Sequence, residues 1–452
     1  MLWKKSHYTH FVDLKDDHGA IYNGRTGALV KLTRKSFNRC KQITKNPAGK
    51  NFIAAKYEAD PLFAHLVAGG FVVEAELDEL GLISEQFDRE RLRSQFMITI
   101  LPTFSCNLGC DYCFVGKKSG KMDRAKQDHI IEFVERRLRD HRPPSMAVDW
   151  FGGEPLLAPQ TIEYLSEAFT RLCEKYEVPY SAQVISNGTV ITPETVEILQ
   201  RANVTRLQIT LDGPREIHDV RRPAKNNPFR VISSFDRTID GLKHVVGKFL
   251  LRLRINVDQS NLEQAWSLLD IFAEQGWLGE GMRFYPYLAR ISAFTEACSS
   301  VATTTVPMDE FQRTNDRWLR RLHELGVTVA GQGLYQFPEP KLYNCGAIGS
   351  NGFIFNPNGE IHKCGLAVDD SSEAVGMLGE GVDADGRNFK KWQEWTPFQN
   401  PVCRGCEFLP SCLGGCPRNQ MMMREVEKKE NCEYYQQHEN RILATHLELA
   451  GI

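Results

Sequence analysis

No stretch of this 452-residue chain comes near the roughly 20 consecutive apolar residues that a bilayer-spanning helix needs. The opening Met1-Leu2-Trp3-Lys4-Lys5-Ser6-His7 lacks the apolar run of a secretory signal, so a cytoplasmic location is expected. Neither charge sign dominates. The 55 Lys and Arg against 57 Asp and Glu give a formal net charge of −2, which leaves no basic field for nucleic acid. Internal repeats and low-complexity tracts are missing as well. At 42% hydrophobic and 10% aromatic residues the chain is not composed like a disordered one.

What is present in excess is cysteine: thirteen, an odd number. In a reducing cytosol a disulfide framework is not expected. Ten of the thirteen fall at short, metal-like spacings, while Cys40, Cys173 and Cys298 stand apart. Metal binding is the reading that accounts for the clusters. Cys173 continues the apolar face of a helix four residues after Phe169 and reads as a small core residue, as does Cys40.

Between about Phe96 and Tyr287 apolar β-type runs alternate with amphipathic helical ones. Strands are predicted at Phe96–Leu101, Ala147–Phe151, Gln183–Ser186, Leu207–Leu211, Leu251–Val257 and Arg283–Tyr287. Ile130, Ile131, Phe133, Val134 and Leu138 make one helical face, and Ile162, Leu165, Phe169 and Leu172 another. Such alternation predicts an α/β fold with a parallel sheet and outer helices, and about six units suit a partial, TIM-like (β/α)6 barrel. Ligands then gather at the C-terminal ends of the strands. Three segments follow: 1–92, a small α+β module of winged-helix-like character; 93–325, the partial barrel; and 326–452, a Cys-rich region organised by metal. In the first, a strand is predicted at Ala28–Leu32, a helix at Pro61–Val67 and a strand at Phe71–Val73.

Directly after the first barrel strand, Cys106, Cys110 and Cys113 read C-x3-C-x2-C with no fourth cysteine nearby. A structural zinc site and an ordinary [4Fe–4S] site each want four ligands, so three on one loop imply an open coordination position. A zinc knuckle borrowing a distant ligand is the bland alternative. The motif resembles that of the radical S-adenosylmethionine (SAM) superfamily. The resemblance implies a [4Fe–4S] cluster whose fourth iron is chelated by SAM, and an enzyme that cleaves SAM to methionine and a 5′-deoxyadenosyl radical. Tyr112 matches the family's aromatic, whose backbone lies near the adenine.

Further positions fit that resemblance. Gly152-Gly153-Glu154-Pro155 ends the second strand and resembles the family's GGEP segment, which holds the SAM amino group; glycines allow close backbone approach. Ser186-Asn187-Gly188 resembles the segment that approaches the ribose. Leu211-Asp212-Gly213-Pro214 with His218, Asp219 and Arg222 is similar to a pattern of the peptide-modifying subgroup. Of Arg252 and Arg254, on the strand that carries Asn256, Arg254 is taken as the SAM carboxylate ligand. Asp212, Asp258 and Tyr285 are candidates for a catalytic base by strand position only.

Cys345 and Cys364 bracket Gly359 as C-x13-G-x4-C, followed by Cys403, Cys406, Cys412 and Cys416 as C-x2-C-x5-C-x3-C, and by Cys432. Spacing alone also admits a pair of zinc ribbons. The order of seven resembles the SPASM extension of radical SAM proteins. That resemblance implies two auxiliary [4Fe–4S] clusters, one on Cys345, Cys364 and Cys416 and one on Cys403, Cys406, Cys412 and Cys432. The fourth position of the former is either Cys298 or open. Relatives of this architecture mature ribosomally made peptides by cross-linking, or oxidise sulfatase residues to formylglycine. The expectation is therefore a maturase that abstracts hydrogen from a precursor-peptide side chain and forms an oxidative carbon–carbon (cyclophane) or thioether cross-link. Its partners would be a precursor peptide with a leader, bound by segment 1–92, and an electron donor such as flavodoxin or ferredoxin. The alternatives are formylglycine formation and a non-catalytic iron–sulfur or zinc-stabilised binding protein.

Overall fold

The computed structural model describes residues 2–14, 17–45, 53, 55–115, 118–225, 232–293, 295–328, 339–422, 432 and 441–451. They fall into two compact units. One comprises Met1–Leu92, Tyr335–Cys345 and Trp395–Ile452, the other Arg93–Leu334 and Gly346–Glu394.

In the first unit β1 (Trp3–Lys5) pairs antiparallel with β5 (Val72–Glu74). A separate antiparallel sheet runs β2 (Thr9–Asp13), β3 (His18–Asn23), β4 (Leu29–Thr33). Helices α1 (Arg34–Thr44), α2 (Pro61–Ala68) and α3 (Glu79–Leu92) follow the sheet in sequence. Thr33 caps α1 and Asp60 caps α2, each side chain accepting a hydrogen bond from a first-turn N–H. Phe37, Cys40 and Ile43 of α1 bury against Ile21, Phe63 and Leu66, so Cys40 is a core residue as expected. Leu443 and Leu447, from helical residues 441–449, pack on Val12, Ala20 and Tyr22.

The second unit is built on a ten-stranded sheet. Its strands are β6 (Phe96–Ile100), β7 (Met146–Trp150), β8 (Tyr180–Ser186), β9 (Val204–Thr210), β10 (Leu250–Val257) and β11 (Phe284–Arg290), each pairing parallel with the next. All six predicted strands are present within a few residues. The intervening helices include α4 (Arg124–His141), α5 (Pro159–Tyr176), α6 (Pro193–Arg201), α7 (Arg215–Arg221), α8 (Ser234–Val245) and α9 (Ser267–Glu274), with α10 (Met308–Glu324) after β11. Asp123 caps α4, which buries Ile130, Phe133, Val134 and Leu138 as its spacing predicts. On α5, Ile162, Leu165 and Phe169 are buried and the Cys173 thiol lies 3.6 Å from Met146 Sδ, a core position as expected.

Beyond β6 the sheet continues in a way that periodicity did not reveal. β12 (Gly352–Phe355) pairs parallel with β6, and β13 (Glu360–His362), β14 (Gly376–Met377) and β15 (Gly381–Val382) add antiparallel. Phe133 packs edge-on against both Phe353 and Phe355 at 5.2 Å. Residues 346–394, with helix α11 (Arg387–Glu394), therefore join the barrel unit and do not group with the later cysteines. Among the described residues no helix is long and apolar enough to cross a membrane.

Candidate active site

Because β6–β11 run parallel, their C-terminal ends share one rim, and the motif residues lie on the segments that leave it. The loop after β6 is an excursion with tied ends. Met122 N donates to Pro102 O, Phe104 N to Gly120 O, and Thr103 Oγ1 to Gly120 O, all within 2.9 Å. On it sit Cys106 and Cys110, half-buried, and Cys113, exposed. Leu108 N (3.4 Å) and Asn187 Nδ2 (3.8 Å) both donate to Cys106 Sγ. Burial pushes the Cys110 thiol up to about 12, so in the bare protein it stays protonated at neutral pH. Donors aimed at a sulfur are the means by which proteins tune iron–sulfur thiolates, and these three residues fit such a cluster. Among the described residues no three His, Cys, Asp or Glu side chains close on one single-ion position. A cluster holds its thiolates on separate irons, so its ligands need not converge on one point.

Gly152 and Gly153 lie against this loop. Gly153 N donates to Thr103 O (3.0 Å) and Glu154 N to Ser105 O (2.9 Å). A Cβ on Gly153 would stand 2.3 Å from Ser105 O, and one on Gly152 2.5 Å from Thr103 O. The immediate need for glycine is thus close backbone packing against the cysteine loop. The Glu154 carboxylate is wholly buried, accepting from Leu156 N (3.0 Å), Ser186 Oγ (2.9 Å) and Asn187 N (2.7 Å). Burial raises its pKa, and these hydrogen bonds work against that rise. Its side chain is committed to the end of β8, and Ser186 Oγ also accepts from Gly188 N. Asn187 reaches back to the loop, donating to Asn107 Oδ1 at 2.9 Å, while Asn107 donates to Thr189 Oγ1 at 2.8 Å. Asn107 was not singled out from the sequence; an amide one residue after a ligand cysteine was its one signal.

Beside the third cysteine lies a buried polar network. The Tyr112 hydroxyl donates to Asp212 Oδ2 and accepts from Arg222 Nη1 and Asn256 Nδ2. Asp212 also lies 3.7 Å from Arg221 Nε, while Arg221 Nη1 bonds Asp258 Oδ2 at 2.9 Å. His218 Nδ1 accepts from Asp212 N. Asn261, unnoticed in the sequence, ties Asp212 O to Asn256 O through its amide. Arg254 is half-buried and donates to Asn256 Oδ1 at 2.7 Å, whereas Arg252 is exposed. Tyr285 is half-buried on β11. Cys298 is buried with Ile291 and Val301, against Tyr112 and Phe114, and its thiol bonds Thr295 O.

The later cysteines divide between the units. Cys364 follows β13 in the barrel unit, where Asn356 braces the β12–β13 hairpin through Glu360 Oε2 and Val368 O. In the other unit Asn344, next to Cys345, donates to Leu413 O and to Gly415 O, next to Cys416. Burial, then its neighbours Cys412, Cys432 and Cys406, pushes the Cys403 thiol up to about 12. None of the thirteen cysteines is in a disulfide.

Residues 100–250 match the family model of the radical SAM superfamily. The chain is 26% identical over 348 residues to the mycofactocin maturase MftC of Mycobacterium tuberculosis, covering 74% of this chain and 80% of the relative. It is 24% identical over 354 residues to the serine-type anaerobic sulfatase-maturating enzyme of Bacteroides thetaiotaomicron, covering 70% and 80%. Among solved structures, Streptococcus suis SuiB bound to precursor peptide SuiA superposes with a TM-score of 0.52 at 16% identity, over 94% of this chain and 97% of that one. The sulfatase-maturating enzyme anSMEcpe with bound AdoMet and the Cp18Cys peptide gives 0.56 at 16%, over 79% and 100%. SAM and a [4Fe–4S] cluster are accordingly the cofactors of this barrel. Residues 100–250 thus form a radical SAM domain, and the protein is an enzyme of SAM radical chemistry.

Proposed function

We propose that this enzyme matures a precursor peptide, abstracting hydrogen from a side chain and closing an oxidative intramolecular cross-link of the carbon–carbon (cyclophane) or thioether type. When bound to the loop of Cys106, Cys110 and Cys113, the cluster and SAM supply a 5′-deoxyadenosyl radical. The observation that carries the reading is the second cysteine set, in which Cys403, Cys406, Cys412 and Cys432 share one neighbourhood. Loss of one hydrogen leaves a substrate radical, and bond closure releases a second electron and a proton. An iron–sulfur cluster on those four thiols would supply the electron acceptor, and a further one is assigned to Cys345, Cys364 and Cys416. The likeness to a maturase over 74% of the chain, and to SuiB solved with its precursor peptide SuiA, supports the substrate class.

The chain's own residues divide the remaining work. Tyr112, the backbone of Gly152, Gly153 and Glu154, Ser186, Asn187 and Arg254 are assigned to SAM. Glu154 acts there through its main chain, since its carboxylate holds the end of β8. Segment 1–92 is assigned to the leader: β4 pairs only with β3 among the described residues, and an edge strand accepts a peptide strand by main-chain hydrogen bonds. We propose a barrel at 93–325 and a SPASM region at 326–452 whose residues 346–394 extend the barrel's sheet, with a flavodoxin or ferredoxin as donor in the cytoplasm.

Formylglycine formation is the second reading, favoured by the likeness to a sulfatase-maturating enzyme. The test incubates candidate precursor peptides with reduced, anaerobically reconstituted enzyme and SAM. A loss of two hydrogens, with fragmentation blocked between the joined residues, is expected. A product that captures hydroxylamine marks an aldehyde and the second reading, and an unchanged mass refutes both oxidations.

A further inference from the structure

The segment after α7 is strapped along the first cysteine loop. Gly109 N donates to Pro223 O and Lys225 N to Asn107 O, each at 2.8 Å, with Leu108 bridged antiparallel to Ala224. This places Arg222 at the loop's flank, 7% exposed, its Nη1 on the Tyr112 hydroxyl between Cys110 and Cys113. Its main chain is held at both ends, by its own N–H to His218 O and by Ser234 Oγ donating to its carbonyl. A buried guanidinium needs a counter-charge. Arg221 has one of its own in Asp258, while Arg222 has none at salt-bridge distance among the described residues; both keep a buried Nε with no hydrogen-bond partner. Burial alone would lower its pKa, but its neighbours Cys110, Tyr112 and Asp212 hold it well above the usual arginine value.

The geometry points to Arg222 as a positioning residue whose fixed positive charge, set against the loop of Cys106, Cys110 and Cys113, raises the reduction potential of the SAM-binding cluster, with Asp212 as the opposing charge. Three thiolates make that cluster anionic, and one added electron makes it more so. A fixed cation in a low-dielectric site favours the reduced form, and an anion disfavours it. The inference holds whichever bond the enzyme forms.

Potentiometric titration followed by EPR, on the reconstituted full chain with and without SAM, identifies the cluster whose signal SAM alters. Arg222→Gln is expected to lower that cluster's midpoint by about 59 mV, a tenfold change in its reduction equilibrium, with iron content retained. Asp212→Asn should raise the midpoint, and Arg222→Lys, which keeps the charge, should leave it near the wild-type value. A purely structural role would move the Gln and Asn variants in the same direction or not at all, and either result overturns the proposal. Should Arg222→Gln fail to hold a cluster, an unmoved or lowered midpoint in Asp212→Asn still overturns it. A wild-type protein with no SAM-responsive cluster would sink the parent assignment itself.

Discussion

His218 shows how one side chain's protonation state is dictated by its surroundings. It is wholly buried, and its Nδ1 accepts the Asp212 N–H, which only the neutral ring can do. Burial, then Arg222 and Arg221, holds its pKa well below the ordinary histidine value. The unfolded chain therefore takes up this proton first as pH falls. The stability that the neutral ring contributes is whole above about pH 6.5 and is lost below it, by up to about 1.4 kcal/mol per pH unit. His218→Asn keeps an acceptor near the Nδ1 position but cannot titrate. Between pH 7 and pH 5 its melting temperature should fall less steeply than that of the wild type. Parallel profiles would show that the imidazole accepts a proton inside the fold. In the sequence His218 was visible only as part of a motif. Its environment comes from α7 and β9, which no local pattern relates.

At the scale of elements, two glycines of the site make contrasting demands. A Cβ at Gly153 meets Ser105 O at 2.3 Å and Phe104 O at 2.4 Å, both backbone atoms of the cysteine loop. At Gly109, on the loop itself, the nearest atom would be Pro223 O at an ordinary 3.8 Å. Gly153→Ala is expected to cost about 1–3 kcal/mol in chemical denaturation and to reduce iron at the first cluster. Gly109→Ala should stay near the wild type in both measurements. Equal losses would mean that the contact with Gly152-Gly153-Glu154 does not hold the loop. The six barrel strands were legible because parallel, doubly covered strands are continuous apolar runs. β12 was not. Its four residues sit in a stretch rich in Cys, Gly and Pro, and its partner β6 lies some 250 residues earlier. Its identity as a strand depends on that pairing.

For the whole molecule, the proposed three clusters imply roughly a dozen irons per chain. A Cys403→Ser/Cys412→Ser double variant is expected to lose about a third of them. It should keep release of 5′-deoxyadenosine from SAM and lose the cross-linked product. Unchanged iron would remove these thiols from the ligand set. Replacing Cys106, Cys110 and Cys113 by Ala should do the reverse, abolishing SAM cleavage with the later cysteines still loaded.

Cysteine spacing and strand periodicity, both local properties of the chain, determined the barrel and the loop that holds its cluster. A ligand set confined to eight residues and a strand that buries both faces leave their mark within a short window. Only the tertiary structure decided that residues 346–394 extend the barrel's sheet, that the Glu154 carboxylate is locked to β8, and that Arg222 flanks the cysteine loop. Each of these rests on a hydrogen bond or strand pairing between segments far apart in sequence, and such contacts exist only once the chain has closed on itself.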